Sequence, residues 1–291
     1  MSRLFWPVML LLFGVAPAAA QEPLRIICFG AHPDDCELKA GGVGAMWAAK
    51  GHKVKFVSVT NGDIGHWRES GPALARRRKA EVEAADKSLG VETEILDIHD
   101  GELEPTLANR KTITRLIREW NADIVMSHRP NDYHPDHRYV GVLVQDAAFM
   151  VAVPKFIPEV KPLAKNPAFF FYSDRFQKPN PFKPDVVVAI DSVMSKKVAA
   201  LERMESQFYE GGANGGPELV PSDPKAQAKR KADVRAAFQN RDRSTAKLYA
   251  EKAKDFYGDA KVEFAEAFEI CEYGRQPNAA ELRKLFPFFE K

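Results

Sequence analysis

Apolar runs rich in branched residues recur along this chain, each followed by a helix-forming stretch, and that alternation most limits its fold. "LRIICFG" (24–30) reads as a buried strand, and "KVKFVSVTNGD" (53–63), "VETEILDI" (91–98) and "ADIVMSH" (122–128) read as the second, third and fourth strands. Between them, helical spacing and strong helix formers occupy about 35–50, then "PALARRRKAEVEAADKSLG", "TLANRKTITRLIREW" and "RYVGVLVQDAAFM". The pattern predicts an α/β domain, a mostly parallel sheet flanked by helices. Further on, "AFFFYS" and "DVVVAID" read as strands, "VEFAEAFEICEYGR" as a last strand or an edge segment, "SVMSKKVAALERMESQFYE" as one helix and 225–254 as a charged helical stretch. The glycine-rich segment 211–224 reads as a mobile loop. No internal repeat or Ser/Pro-rich linker divides residues 21–291, which are expected to form a single domain.

Residues 1–20 stand apart. "MSRLFWPVMLLLFGVAPAAA" has one early arginine, an apolar stretch and a small-residue A-x-A end, the pattern of a secretory signal peptide cleaved between Ala20 and Gln21. The expected location is the periplasm or outside the cell, with no stable membrane span after cleavage. Cys28, Cys36 and Cys271 are too few for a disulfide framework. A net charge of +2 across 291 residues, evenly spread, gives no argument for a nucleic-acid partner, and none is expected.

In a parallel sheet, ligands bind beyond the carboxyl ends of the strands. This chain concentrates polar residues there: "HPDD" (32–35) after the first strand, Asn61 to Asp63 after the second, Asp97 to Asp100 after the third, and "HRPNDYHPDH" (128–137) after the fourth. A single H-P-D-x turn is well explained as a helix start, since Asp caps and Pro suits the first turn. Two such turns on one rim point to metal chemistry. His32 with Asp35, and His134 with His137, are each spaced i, i+3, which brings both side chains to one side of a helix start. Three protein ligands and one open position make a catalytic zinc site. Zinc acidifies water to a pKa of about 7, a neighbouring carboxylate such as Asp34 takes up a proton, and a spare histidine stabilises an oxyanion. Spacing alone leaves open which histidine of "HPDH" and which aspartate of "HPDD" holds the ion.

These motifs resemble the PIG-L/LmbE family of zinc-dependent N-deacetylases. "AHPDDCELKAGG" and "HPDH" resemble its two core motifs; "VTNGDIGHW", "RRRKAE", "SLGV", "ALERMESQ" and "AEAFEICEYGRQP" extend the likeness over most of residues 24–277. The resemblance implies a Rossmann-like fold and a zinc-dependent hydrolase that removes an N-acyl group, N-acetyl above all, from an amino sugar or sugar conjugate. It implies His32, Asp35 and His137 as metal ligands, Asp34 as general base and His134 as the residue assisting the tetrahedral intermediate. It also places Asp63 and Arg78 at the substrate. Tyr133, beside His134, either lends its hydroxyl to the pocket or covers the turn. Iron is an alternative ion in an N/O site of this kind. The expected partner is a small amino-sugar substrate, with homo-oligomerisation an open option.

Cys36 stands where many relatives carry Glu or Ala. One residue beyond Asp35, it points about 100° away around the helix and is expected to pack. Glu37 is expected to cap its own turn or brace a ligand, and Lys39 replaces a small residue. His128 and Asn131 are expected to hold their loop, and His66-Trp67 either stacks on a sugar or is a plain exposed loop. Two other functions fit the same residues: hydrolysis of a different amide, and metal-dependent sugar binding without catalysis. An intact Asp34 argues against the second, because binding needs no base.

Overall fold

The computed structural model describes residues 22–289; the expected leader, 1–20, lies outside the described residues. The chain runs β1 (Arg25–Gly30), α1 (Asp35–Ala49), β2 (Lys53–Ser58), α2 (Gly71–Leu89), β3 (Glu92–Ile95), α3 (Leu107–Trp120), β4 (Ile124–Ser127) and α4 (Pro135–Met150). It continues through β5 (Ala168–Tyr172), β6 (Val186–Ala189), α5 (Met194–Leu201), α6 (Glu205–Phe208), α7 (Pro224–Leu248), α8 (Ala250–Tyr257), β7 (Ala265–Gly274) and α9 (Ala279–Leu285). Among the described residues the strands form one seven-stranded sheet in the order β3-β2-β1-β4-β5-β7-β6. The first five pair in parallel, and β7 runs antiparallel to both its neighbours.

The chain leaves β1 for β2 and β3 on one side, then returns to β4 on the other. The order reverses between β1 and β4, and there the carboxyl ends leave a crevice. Both H-P-D-x turns open at this point.

The central strands β1 and β4 are apolar on both faces because helices cover both, whereas β2 carries Lys53 and Lys55 and the edge strand β3 is part-exposed. Alternate β1 side chains enter different cores: Ile26 and Cys28 pack with Trp47 and Phe56 on the α1 side, Ile27 and Phe29 with Ile113 and Leu143 on the α3–α4 side. Gly30 closes the strand because the helix start presses on it; a Cβ there would lie 2.6 Å from the Cβ of Asp35.

Three expectations are revised. The stretch 192–210 is broken rather than one helix, with α5 and α6 separated where Met204 turns into the core, 1% exposed. The charged helix divides at Tyr249. The segment 211–224 is pinned: Trp67 N–H donates to the Gly212 carbonyl at 2.9 Å, and Gly215 lies so close to Trp67 that a Cβ would sit 2.4 Å from its ring. Here glycine serves close approach rather than mobility.

Two buried polar links position α1. Glu266 of β7 accepts the backbone N–H groups of Gly42 and Val43, each at 2.8 Å, and also meets Lys197 Nζ at 2.8 Å. Lys197 in turn reaches Asp242 of α7 at 2.8 Å, so β7, α5 and α7 are tied to the helix carrying Asp35.

The second link is a carboxyl pair. Glu37, expected to cap its turn or brace a ligand, instead meets Asp86 of α2; Glu37 Oε2 and Asp86 Oδ1 have no other partner. Burial raises both, Asp86 to about 7 and Glu37 well above the carboxylate range. A carboxyl raised in the folded state binds its proton more tightly than in the unfolded chain, so its contribution falls as pH rises between the two values. Asp86→Asn is therefore expected to melt close to wild type near about pH 4. It should gain several degrees by about pH 8, with the gain levelling off above about pH 7. Thermal melts across that range check this; a constant offset would refute it.

Candidate active site

The β1 turn is built by short-range bonds. The His32 carbonyl accepts the N–H groups of Asp34 and Asp35 at 2.9 and 3.2 Å, while His32 N–H donates to Asp35 Oδ2 at 2.8 Å. The β4 side mirrors it: His134 caps α4 by accepting the Asp136 N–H on Nδ1 at 3.2 Å, and Pro135 fills the first turn. One helical turn on, His137 faces the first cluster.

Three donor atoms meet in the crevice. His32 Nδ1 and His137 Nε2 are 3.2 Å apart, His32 Nδ1 and Asp35 Oδ2 3.5 Å, and His137 Nε2 and Asp35 Oδ2 3.4 Å. Ligands of a tetrahedral ion with bonds of about 2.0–2.1 Å lie about 3.3–3.4 Å apart. The near-equilateral triangle therefore fits a divalent ion.

The outer nitrogens of both histidines face carboxylates. His32 Nε2 lies 3.0 Å from Asp100 Oδ1 and 3.3 Å from Asp136 Oδ2, close but off the hydrogen-bond line. His137 Nδ1 pairs with Asp132 Oδ1 at 3.1 Å. Such carboxylates fix ring orientation and raise ligand basicity. Asp136 is itself held by the N–H groups of Gly101 and Leu103, at 2.7 and 3.3 Å.

Charge points the same way. Burial disfavours protonated His32, but the Asp100, Asp136 and Asp35 carboxylates outweigh it and hold its pKa well above the usual range. His137 is raised more mildly, with Asp35 and Asp132 overcoming burial. A cluster that retains protons against burial is one that attracts a cation.

The other histidines differ. His128, 2% exposed, stacks on His137 at 4.1 Å and accepts the Ala31 N–H on Nε2 at 3.4 Å. That bond occupies the lone pair which would otherwise reach an ion, although Nε2 is 3.3 Å from Asp35 Oδ2. Burial pushes its pKa down to about 4. His134 is lowered by burial and by the neighbouring His32 and His137. Because its Nδ1 accepts the Asp136 N–H hydrogen bond, the neutral ring carries hydrogen on Nε2 and remains a donor without being charged.

Asp34 lies beside the triangle but outside it. Its Oδ2 meets Arg78 Nη2 at 3.2 Å. Burial raises its pKa and Asp35 adds to the rise, while Arg78 opposes both. Arg78, expected at the substrate, is 2% exposed and also bonds the Pro33 and Gly62 carbonyls at 3.3 and 3.2 Å. It stands beneath Asp34, not in the open pocket. Asp63 is likewise committed: Oδ1 accepts the Asp100 N–H at 3.1 Å and Oδ2 meets His99 Nδ1 at 2.6 Å, so it holds the Asp100 loop. Tyr133 is 71% exposed at the mouth of the cleft, with its ring edge-on to His134 and His137. Cys36 turns away into the core, 3.7 Å from the Tyr172 hydroxyl. His66 is buried against Glu210, with Nε2 3.0 Å from Oε2, and does not face the cleft.

Sequence reasoning gave Asp100, Asp132 and Asp136 no role. Asp136 lies within "HPDH" itself, but its partner loop is remote in sequence. The cleft, about 540 Å³, runs from Asp35 and His137 towards α7.

Residues 27–148 match the PIG-L family, described as GlcNAc-PI de-N-acetylase. A diacetylchitobiose deacetylase from Thermococcus kodakarensis is 34% identical over 197 residues, 64% of this chain and 71% of that protein. The chain belongs to the PIG-L/LmbE family. The structure of the N,N'-diacetylchitobiose deacetylase of Pyrococcus horikoshii superposes with a TM-score of 0.65 at 26% identity, covering 84% of this chain and 83% of that one. The PIG-L/LmbE relatives are not all deacetylases: the 4-oxalmesaconate hydratase of Pseudomonas putida is 30% identical over 190 residues, 62% of this chain and 72% of that protein. Both PIG-L motifs of this chain fall within the matched residues 27–148, at the β1 and β4 ends. No helix among the described residues is long and apolar enough to cross a membrane.

Proposed function

We propose that this protein is a metal-dependent hydrolase that removes an N-acyl group, N-acetyl above all, from an amino sugar or sugar conjugate. The observation that carries this reading is the donor triangle of His32, Asp35 and His137 with the carboxyl of Asp34 beside it, outside the triangle and held by Arg78. The three residues would hold zinc or iron, which supplies Lewis acidity towards a water molecule and the acyl carbonyl.

The protein's own groups do the rest. Asp34 takes the proton from water as its oxygen bonds to the acyl carbon, then returns it to the nitrogen as the C–N bond breaks. Arg78 holds Asp34 in place and limits how far its pKa can rise. His134 Nε2–H donates to the carbonyl oxygen as negative charge develops there. Asp132, Asp100 and Asp136 keep the two ligand rings turned inward.

The hydratase relative supports a second reading, addition of water to an unsaturated acid. The family description and the more similar deacetylase weigh towards amide hydrolysis. An amine-release assay on N-acetylglucosamine and N,N'-diacetylchitobiose, with zinc and iron loaded separately, is expected to show metal-dependent free amine. No amine, together with hydration of an unsaturated dicarboxylate, would replace this reading with the second.

A further inference from the structure

The wall of the cleft formed by α1 and α7 carries two cations that make no direct ion pair among the described residues. Lys39 of α1 and Arg241 of α7 line the same cavity as Asp35 and His137, with Arg175 at its outer edge. Lys39 Nζ donates to the Ser173 carbonyl at 2.8 Å and forms no ion pair among the described residues. Arg241 is the one half-buried arginine among the described residues whose guanidinium has neither a hydrogen bond nor an ion pair. The neighbouring Arg129, by contrast, is tied to Asp174 at 3.4 Å and to the Asn180 carbonyl at 2.5 Å. Burial and the adjacent Arg241 depress Lys39 to about 8, outweighing the opposing pull of the Asp35, Asp132 and Asp174 carboxylates.

Desolvating a cation without compensation is costly, and keeping two together more so. The fold nevertheless fixes Arg241 there, since the next residue, Asp242, is locked into the core by Lys197. A further group in the same cavity lacks a partner: Asp174 Oδ2 is buried without a hydrogen bond, while Oδ1 accepts the Phe176 N–H at 3.0 Å. An acceptor without a partner beside two cations without ion pairs suits a molecule that carries both hydroxyl groups and an anion.

We propose that Lys39 and Arg241 form an anion subsite, and that the amino-sugar substrate bears a carboxylate or phosphate bound there while Asp174 accepts a hydroxyl. This rests on the N-deacylase reading for the reaction but not for the binding. Lys39, which replaces a small residue in the resemblance, thereby acquires a role in specificity.

The test measures binding and turnover separately. With zinc-loaded protein, calorimetry is expected to show glucosamine 6-phosphate or muramic acid binding about ten-fold or more tightly than glucosamine, as charge-assisted hydrogen bonds would give. The preferred arm identifies the anion. Arg241→Gln and, separately, Lys39→Gln should each bring that ratio most of the way to one, while Lys229→Gln on the exposed side of α7 leaves it unchanged. Equal affinity for neutral and anionic sugars, or a preference that survives both cleft substitutions, overturns the subsite. Turnover is followed by amine release from N-acetylglucosamine, its 6-phosphate and N-acetylmuramic acid. No amine from any of them, with the binding preference intact, defeats the deacylase reading alone; amine from all three at equal kcat/KM, with no binding preference, defeats the subsite alone.

Discussion

Asp34→Asn is expected to keep its metal and lose turnover, with kcat falling about 10²–10⁴-fold, the range associated with a general acid–base group. The substitution preserves side-chain shape and removes the negative charge, and with it the ability to accept the proton. Helix stability should not obscure the result: Asp34 is the N-cap of α1, but its side chain makes no capping hydrogen bond. The one lost interaction is the 3.2 Å pair with Arg78, whose guanidinium retains the Pro33 and Gly62 carbonyls. KM should therefore move far less than kcat, as for an interaction strengthened only in the transition state. Metal content and steady-state kinetics on the same preparation decide the matter. Wild-type turnover would remove Asp34 from the mechanism, and parallel loss of metal would make it a ligand instead.

The same residues mark what a reader of the sequence can and cannot see. β1 and β4 announce themselves because their runs are apolar on both faces, and the alternation of strand and helix places the reactive residues on one rim of a parallel sheet, although the strand order that opens the crevice between β1 and β4 is visible only in the fold. His32 and Asp35 are legible because they lie within one turn of each other. The carboxylates behind them are not: Asp100 approaches His32 across 68 residues, and only the folded β3–α3 loop brings it there. The far edge of the sheet is similarly hidden. β7 inserts between β5 and β6 although it follows both, a pairing set by long-range contacts rather than local pattern. The α7 wall of the cleft depends on Asp242 finding Lys197, which Glu266 also binds, and a charged helix reads as solvated until that buried triad is known. The glycines at 211–224 resemble a flexible loop for a simpler reason: composition does not distinguish freedom from close approach.

The donor triangle makes the other large-effect prediction. His32→Ala and His137→Ala are each expected to purify with little metal and almost no activity, because each removes one corner of a set whose edges run from 3.2 to 3.5 Å. Asp132→Ala leaves all three donors and frees only the His137 ring, so its affinity should fall by about 10–100-fold, the usual cost of removing an outer partner. Competition with a chelator ranks the variants: wild type, then Asp132→Ala, then the two histidine variants. Two neighbours serve as discriminating controls, since other donor groupings occur in the same cluster, with His134 beside His32 and His137 and with His128 beside Asp35 and His137. His134→Gln should retain metal and lose rate, because Nδ1 of His134 is spent on the Asp136 N–H and its Nε2 carries the hydrogen. His128→Gln should also retain metal, because the Ala31 N–H already occupies its Nε2. If either lost its metal while His32→Ala kept it, the ion would belong to a different corner of the cluster and Asp34 would no longer stand beside it.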